Sequence, residues 1–239
     1  MEIQAIAHIE NDYKEKFGIP RQSGLVRSMI SRIVFEPEYR DLNAVRGMEG
    51  YTHLWLIWQF SENMNAGWTP TVRPPRLGGN VRMGVFATRS PFRPNPLGLS
   101  CVELERVELE DDGPVIYVKG ADLMDGTPIF DIKPYVPYAD SHPEAGSGFA
   151  GDVFEHRLKV EVTDHVINKI PENKAEALFE ILAQDPRPGY QKDPDRIYGM
   201  EYGNMNIKFQ VREDILEITG VDISENKVSF MKNKTDENQ

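Results

Sequence analysis

The stretch "SCVELERVELEDDGPVIYVKG", residues 100–120, has the pattern of two β-strands joined by a turn. Val102 and Leu104 fall on one face of the first strand, whereas Val107 falls on the other. This change of phase predicts a β-bulge near Arg106. The Asp-Asp-Gly-Pro segment supplies the turn, and the apolar residues after it form the second strand. The stretch therefore predicts a bulged antiparallel hairpin.

Further short segments along the chain have the same character. A single short helix is predicted among them, at 39–50, where Gly47 or Gly50 marks its end. Many short strands with one short helix favour a closed or nearly closed β-barrel. Besides the hairpin, alternating or continuous apolar residues predict strands at 3–9, 25–35, 53–60 and 83–87.

The composition of the chain changes in its second half. The stretch 134–151 is rich in Pro, Gly and Ala, which is typical of a domain boundary. We predict an N-terminal β-barrel domain at 1–140, a linker at 141–152 and a smaller α+β C-terminal domain at 153–239. The whole chain is thus predicted to be mainly β, and α+β overall. The C-terminal domain is predicted to contain strands at 156–163, 205–211 and 215–221 and a helix at 171–184.

The bulk composition favours a soluble protein of the cytoplasm. Hydrophobic residues make up 40% of the 239 residues, which is enough for a sizeable core. The single cysteine, Cys101, excludes a framework of internal disulfides and favours a reducing compartment. No apolar run approaches the length needed to span a membrane, and we expect no secretory leader.

The charges are unevenly distributed along the chain. The net charge is −11, but residues 1–100 hold 12 Lys and Arg against 9 Asp and Glu, whereas the remaining residues hold 15 against 29. This segregation favours a local anion site on an otherwise acidic protein. The alternative for each arginine is an ion pair with an acid elsewhere in the fold. Residues 63–102 contain no acidic residue and five arginines: Arg73, Arg76, Arg82, Arg89 and Arg93.

Two of these arginines lie in a loop with restricted backbone freedom, "MGVFATRSPFRPNPLGLS" (83–100), which contains three prolines. Proline restricts its own φ and the conformation of the residue before it, so this loop has little entropy to lose on binding. We therefore expect the loop to hold Arg89 and Arg93 ready for an anionic group.

Several common site motifs are absent from the sequence. No G-x-G-x-x-G follows a strand and no G-x-x-x-x-G-K occurs, so dinucleotide-binding and P-loop folds lose support. No G-x-S-x-G occurs, which argues against the serine-hydrolase elbow. The five histidines show no metal-ligand spacing, and one cysteine cannot form a zinc site, so no metal is expected.

A cluster of carboxylates occurs in "GADLMDGTPIFDIKPYVPYAD" (120–140). Asp122 and Asp125 flank a turn signal, and a structural turn is the alternative to a binding role for both. Asp131 lies between apolar residues, where a carboxylate needs a partner. Lys133 or an arginine could be that partner, so a structural ion pair and a functional carboxylate both stay open at this point.

Four segments resemble the TrmO (TsaA-like) family: "PRQSGLVRS", "GWTPTVRPPRLGGNVRMGVFATRSPFRPNPLGLS", "DLMDGTPIFDIKPYVPYA" and "LAQDPRPGY". The resemblance spans both halves of the chain. It implies an S-adenosylmethionine-dependent tRNA methyltransferase with a β-barrel catalytic domain and no Rossmann fold. It further implies a homodimer that methylates N6 of threonylcarbamoyladenosine at position 37, next to the anticodon.

The resemblance also implies a set of residues around the cofactor. At 61 and 62 this chain has Ser-Glu where relatives are expected to have His-Gln, a change that a backbone contact would tolerate. The implied S-adenosylmethionine-binding residues are Pro20, Arg21, Gln22, Ser61, Glu62, Arg89, Leu99, Asp122, Leu123, Met124 and Asp125.

We predict a second set of residues for the transfer itself, which depends mostly on positioning. The acceptor nitrogen is a poor nucleophile because its lone pair is delocalised, and its proton must leave. Asp131, with Lys133 nearby, is predicted to accept or orient that proton, and Tyr135 to stack on the base. The residues predicted to meet tRNA phosphates or the threonyl carboxylate are Arg73, Arg76, Arg82 and Arg93.

Two other functions are compatible with a barrel that carries charged loops. One is a non-catalytic protein that binds RNA or a nucleotide, which small barrels often do. The other is a hydrolase in which Asp122 or Asp125 holds a metal. Methyl transfer from labelled cofactor to tRNA distinguishes the first, and activity without metal excludes the second.

Overall fold

The computed structural model of the chain describes residues 2–77, 80–153, 157–187 and 193–224. The prediction of a mainly β protein is confirmed. In chain order the strands are β1 (Ala7–Glu10), β2 (Ile30–Phe35), β3 (His53–Gln59), β4 (Thr71–Val72), β5 (Met83–Gly84), β6 (Leu97–Glu110), β7 (Gly113–Lys119), β8 (Pro128–Pro134), β9 (Lys159–Val162), β10 (Tyr198–Tyr202), β11 (Met205–Arg212) and β12 (Ile215–Ile223). The α-helices are α1 (Pro137–Asp140), α2 (Asp164–Ile167) and α3 (Glu172–Ala183).

The N-terminal strands form a closed barrel in the order β1-β2-β7-β6-β3-β8, and β8 pairs back onto β1. The β6/β7 hairpin is the one predicted from residues 100–120. Its register shifts between Leu104 and Arg106, so the predicted bulge is confirmed. Because of this shift, Leu104 and Val107 both pack against the apolar interior.

Strand β3 shows how the barrel separates its two faces. Leu54, Leu56 and Trp58 are buried in the interior, because side chains alternate between the two faces of a strand. The residues between them therefore lie on the outer face. Ile57 pairs with Leu99 on β6 and with Asp131 on β8, so these three side chains form one row on the outside of the barrel.

Two predicted elements differ in type from the structure, and the strands predicted at 3–9 and 25–35 begin only at Ala7 and Ile30. Residues 39–50 do not form a helix but lie in a series of 3-10 turns, at 37–39, 42–45 and 48–50. The second and third turns are separated by Gly47, whose φ of 84° is incompatible with a continuous helix. In the segment 83–87, only Met83–Gly84 is a strand, and a 3-10 turn follows it.

The C-terminal part forms a second sheet, in the order β10-β11-β12-β9, with β9 parallel to β12. Helix α3 contributes four buried residues, Leu178 among them, to a second apolar cluster with this sheet. Tyr13, Val26 and Met29 also belong to this cluster, although they lie between β1 and β2. The division into domains at 141–152 stays a prediction. The segment between β1 and β2 belongs to the N-terminal part in sequence but packs against the C-terminal sheet.

None of the helices in the described ranges is both long enough and apolar enough to cross a membrane.

Candidate functional site

A cavity of about 500 Å³ lies at one end of the barrel. It is bounded by the segment between β1 and β2, the end of β3 and the 3-10 turn after it, the loop before β6, the start of β6 and the turn between β7 and β8. All of these chain segments meet at the same barrel end because the neighbouring strands are antiparallel.

Most residues predicted to bind the cofactor line this cavity. Leu123 and Asp125 do not. Leu123 is fully buried in the barrel core. The carboxylate of Asp125 accepts a hydrogen bond from the backbone N–H of Asn11 at 2.8 Å and pairs with Lys14 at 2.6 Å, so it fastens the turn to the N-terminal segment. The predicted residues that line the cavity are Pro20, Arg21, Gln22, Ser61, Glu62, Arg89, Leu99, Asp122 and Met124.

The two arginines of the proline-rich loop have different environments. Arg89 is exposed, and its guanidinium donates to the side-chain oxygen of Gln22, which joins two walls of the cavity. Arg93 also lines the cavity, but its Nη1 donates to the backbone carbonyls of Val85 at 3.2 Å and Thr88 at 2.7 Å. Arg93 therefore stabilises the conformation of the loop that contains Arg89.

Asp122 is the carboxyl group on the cavity wall whose acidity the fold changes most clearly. Burial raises its pKa to about 6, although a hydrogen bond from Ser100 and the charge of Arg89 favour the ionised form. Ser100 Oγ donates to Asp122 Oδ1 at 2.5 Å and accepts from Trp58 Nε1 at 2.9 Å. These hydrogen bonds fix the orientation of the Asp122 carboxyl group on the cavity wall, and burial there raises its pKa above the ordinary value.

The apolar wall of the cavity was not predicted from the sequence. Trp58 and Phe60 make an edge-to-face contact with ring centroids 4.4 Å apart. Gly98 lies against the Trp58 ring, and a Cβ at this position would come within 2.2 Å of it. A glycine inside a strand pattern is the signal for such a close approach, although it does not identify the partner.

The residues predicted to act in the transfer lie outside the cavity lining. Asp131 pairs with Lys133 at 2.7 Å on the outer face of β8. It is in register with Ile57, and Ile57 is in register with Leu99 on the cavity rim. Strands are about 4.8 Å apart, so Asp131 lies roughly 10 Å from Leu99 across this face. Tyr135 packs beside Trp55, with ring centroids 5.7 Å apart.

The predicted tRNA-contacting arginines are also not gathered in the cavity, Arg93 excepted. Arg73 and Arg82 are exposed beside the β4/β5 ribbon, where Arg82 Nη1 donates to Thr71 Oγ1 at 3.1 Å. The side chain of Arg76 lies outside the described residues. Among the residues that the structure describes, no group of three or more His, Cys, Asp or Glu side chains is arranged to hold a metal ion.

Comparison with family models gives matches over both parts of the chain. The model of the tRNA-methyltransferase O N-terminal domain matches residues 8–141, and the model of the TrmO C-terminal domain matches residues 155–224.

Individual relatives match over nearly the whole chain. The tRNA (adenine(37)-N6)-methyltransferase of Escherichia coli (strain K12) is 42% identical over 91% of this chain and 96% of its own length. A putative S-adenosylmethionine-dependent methyltransferase, RcsF, of Pseudomonas aeruginosa is 37% identical over 92% of this chain and 96% of its own length. A crystal structure of TrmO from P. aeruginosa superposes with a TM-score of 0.77 and 32% identity, and covers 94% of this chain and 97% of its own.

Proposed function

The chain belongs to the tRNA-methyltransferase O family, and on that premise we propose that it methylates N6 of threonylcarbamoyladenosine at position 37 of tRNA, in the cytoplasm. It is a tRNA N6-methyltransferase, and S-adenosylmethionine is its cofactor. When bound, S-adenosylmethionine supplies a methyl group activated by a positively charged sulfur. The observation that carries the proposal is the match of both family models to a chain whose barrel end holds a cavity with a guanidinium, a carboxyl group and aromatic rings.

The residues of the cavity fit S-adenosylmethionine. Its volume of about 500 Å³ is in the range typical of small-molecule sites. Arg89 and Gln22, already joined by a hydrogen bond, suit the carboxylate of the amino-acid end. The Asp122 carboxylate suits a cationic group, and the apolar wall at Trp58 and Phe60 suits the adenine.

We propose that Asp131 accepts or orients the proton of the acceptor nitrogen. A carboxylate can accept or orient this proton, which frees the nitrogen lone pair for reaction. The Asp131 carboxyl group pairs with Lys133 at 2.7 Å, which fixes its position, and the ring of Tyr135 offers a stacking surface for the base. In this assignment the acceptor base approaches over the outer face of β8 and β3, next to the cavity rim.

A homodimer would complete this arrangement. The outer row ends at Leu99, which is 55% exposed although it is apolar and lies on the cavity rim. Ile57 extends the same apolar surface towards Asp131. A second copy that covers the apolar part of this face, at Leu99 and Ile57, would exclude water from the cavity rim and leave the Asp131 end of the row open to the acceptor base. Sedimentation analysis of the whole chain tests this assembly, and a monomer at micromolar concentration would contradict it.

The cofactor assignment is tested by binding rather than by activity. Arg89→Ala and Asp122→Asn should each weaken S-adenosylmethionine binding about tenfold in calorimetry, because each removes a charge that faces an opposite charge on the cofactor. Arg46→Ala removes an exposed arginine that does not line the cavity and is the matched control. Unchanged affinity in both cavity variants would contradict the assignment.

The substrate assignment is tested with defined tRNA. The protein is incubated with labelled S-adenosylmethionine and with tRNA that carries threonylcarbamoyladenosine, unmodified adenosine or guanosine at position 37. We expect a methyl group on N6 of the threonylcarbamoyladenosine alone, located by mass spectrometry of the digested product. Equal transfer to unmodified adenosine would show that the enzyme does not require the threonylcarbamoyl group, which would contradict this part of the proposal. Binding of both partners without transfer would favour the non-catalytic alternative.

A further inference from the structure

One wall of the cavity is held in place by the C-terminal part of the chain. We call residues 16–22 the cofactor segment, because Lys16, Pro20, Arg21 and Gln22 in it line the cavity. The segment lies between β1 and β2 and contains no helix or strand of its own. Its position therefore depends on contacts with other parts of the fold.

The first half of the cofactor segment is fixed by apolar packing on the second sheet. The ring of Phe17 stacks on Phe209, with centroids 6.3 Å apart. Gly18 lies so close to Met200 that a Cβ would meet the Met200 sulfur at 2.3 Å. Residues 27 and 28, which follow the cofactor segment, are also fixed to the C-terminal part. Their backbone N–H groups donate hydrogen bonds to the Glu180 carboxylate on α3.

The cofactor segment is not closely packed against the end of α3. A separate cavity of about 190 Å³ lies between this segment and the end of α3, and Arg21 and Gln184 both line it. The side-chain Nε2 of Gln184 is buried there without a hydrogen-bond partner among the described residues. Close packing against α3 therefore does not by itself determine where the segment lies.

Residues 185–187, within the "DPRPGY" stretch, make a polar contact across this gap. Arg21 Nη2 donates to the backbone carbonyl of Arg187 at 3.3 Å. The Arg187 guanidinium makes a bidentate ion pair with the Asp185 carboxylate, at 2.8 and 2.9 Å, and only 12% of the Arg187 side chain is exposed. This pair fixes the backbone at residue 187, and so the carbonyl that Arg21 binds.

We propose that Asp185 and Arg187 are positioning residues for S-adenosylmethionine binding, which act by holding Arg21 and its neighbours on the cavity wall. This inference rests on the proposed function, because it assumes that the 500 Å³ cavity holds the cofactor. It gives the C-terminal part a role in cofactor affinity although none of its residues that the structure describes lines that cavity. A preordered wall lowers the entropy lost on binding, so loosening it weakens affinity without removing a cofactor contact.

Asp185→Asn is the variant that tests the proposal. Asp185 has a φ of 51°, a conformation that asparagine tolerates, so the exchange removes the bidentate carboxylate without backbone strain. We expect the dissociation constant for S-adenosylmethionine to rise about tenfold in calorimetry. The KM for S-adenosylmethionine should rise in parallel, whereas kcat at saturating cofactor and the KM for tRNA should stay within about twofold of the wild-type values.

Two further variants separate positioning from general effects. Asp222→Asn removes another carboxylate of the C-terminal part, which pairs with Lys208 at 2.7 Å on the second sheet and away from the cofactor segment, and it should leave the affinity unchanged. Arg187→Lys keeps the charge but loses the bidentate geometry, and it should weaken binding in the same direction as Asp185→Asn. Arg187→Lys also carries the test if Asp185→Asn does not fold.

The outcomes distinguish this inference from the proposed function. Wild-type affinity in both Asp185→Asn and Arg187→Lys would overturn the positioning role while leaving the methyltransferase proposal intact. A higher KM for tRNA with unchanged cofactor affinity would overturn it in favour of a direct tRNA contact. If Asp222→Asn weakened S-adenosylmethionine binding as much as Asp185→Asn, the effect would be one of general charge, and the positioning role would be overturned. A wild-type protein that binds no S-adenosylmethionine would overturn the proposed function itself.

Discussion

A carboxyl group enclosed by protein holds its proton more tightly than one in water, and Asp122 is enclosed on the cavity wall with its pKa raised to about 6. Because this pKa exceeds the ordinary value of 3.8, the folded chain binds the proton more tightly than the unfolded chain does. The stability contribution of Asp122 is therefore most favourable below about pH 4, and it is lost as the pH rises towards about 6.

The pH dependence of unfolding tests this account of Asp122. Relative to Asp122→Asn, the free energy of unfolding of the wild-type protein should fall by about 1–3 kcal/mol between pH 4 and pH 7, because only the wild type must ionise a carboxyl group in the cavity wall. Urea titrations of both proteins at each pH measure this difference. A difference that stays constant with pH would show that the Asp122 carboxyl is not enclosed in solution.

Asp131 differs from Asp122 in every respect that matters for its proposed role. It pairs with Lys133 at 2.7 Å on the outer face, where 43% of its side chain is exposed, so its carboxyl group is accessible to a large substrate. Asp131→Asn should lower kcat by about 10²–10⁴, because a general base is lost, and should change S-adenosylmethionine affinity by less than about twofold. Steady-state kinetics and calorimetry measure the two effects.

The control for Asp131 is a strand-borne ion pair of the same length elsewhere. Lys159 and Glu161 pair at 2.7 Å on β9, so Glu161→Gln removes an equivalent carboxylate outside the proposed site. Full turnover by a folded Asp131→Asn protein, or an equal loss in Glu161→Gln, would exclude the base role.

At the scale of elements, patterns carried by neighbouring residues were predictable. The phase change in 100–120 predicted the bulged hairpin, because alternation is set locally along a strand. Strand β8 was not predicted, because Asp-Gly and the prolines around it favour turns, and only pairing with β1 and β3 makes this segment extended. Arg89 could be proposed from an acid-free, proline-rich loop. The Trp58 wall could not, because it depends on a contact between strands.

The contact between β3 and β6 makes the glycine at 98 necessary for the cavity wall. Gly98→Ala should lower the free energy of unfolding by about 1–3 kcal/mol, because the added methyl group overlaps the buried Trp58 ring. Thermal unfolding measures the loss of stability, and the tryptophan fluorescence spectrum, to which Trp58 contributes, measures the change in its surroundings. Gly50→Ala is the control, because nothing lies within 4 Å of a Cβ there, and it should change stability by less than about 0.5 kcal/mol. Equal stability of the two variants would contradict the close packing of Trp58.

At the scale of the whole molecule, an acidic protein must bind an acidic partner. The net charge of −11 repels RNA at long range, so productive contact requires a local cationic surface. We expect the stretch 63–102 to supply one, because its arginines are not accompanied by a single acidic residue in sequence. Arg89 and Arg93 are engaged at the cavity and its loop, which leaves Arg73 and Arg82 as the described, exposed arginines of this stretch outside the cavity.

The double variant Arg73→Ala/Arg82→Ala should weaken tRNA binding about tenfold at low salt and leave S-adenosylmethionine affinity unchanged, because it removes phosphate contacts and no cavity residue. The slope of log Kd against log salt concentration should decrease by about 1–2, since each lost phosphate contact removes one released counterion. Filter-binding titrations at several salt concentrations measure both effects. Arg212→Ala, an exposed arginine at the end of β11, is the control. An unchanged slope in the double variant would place the tRNA surface elsewhere on the molecule.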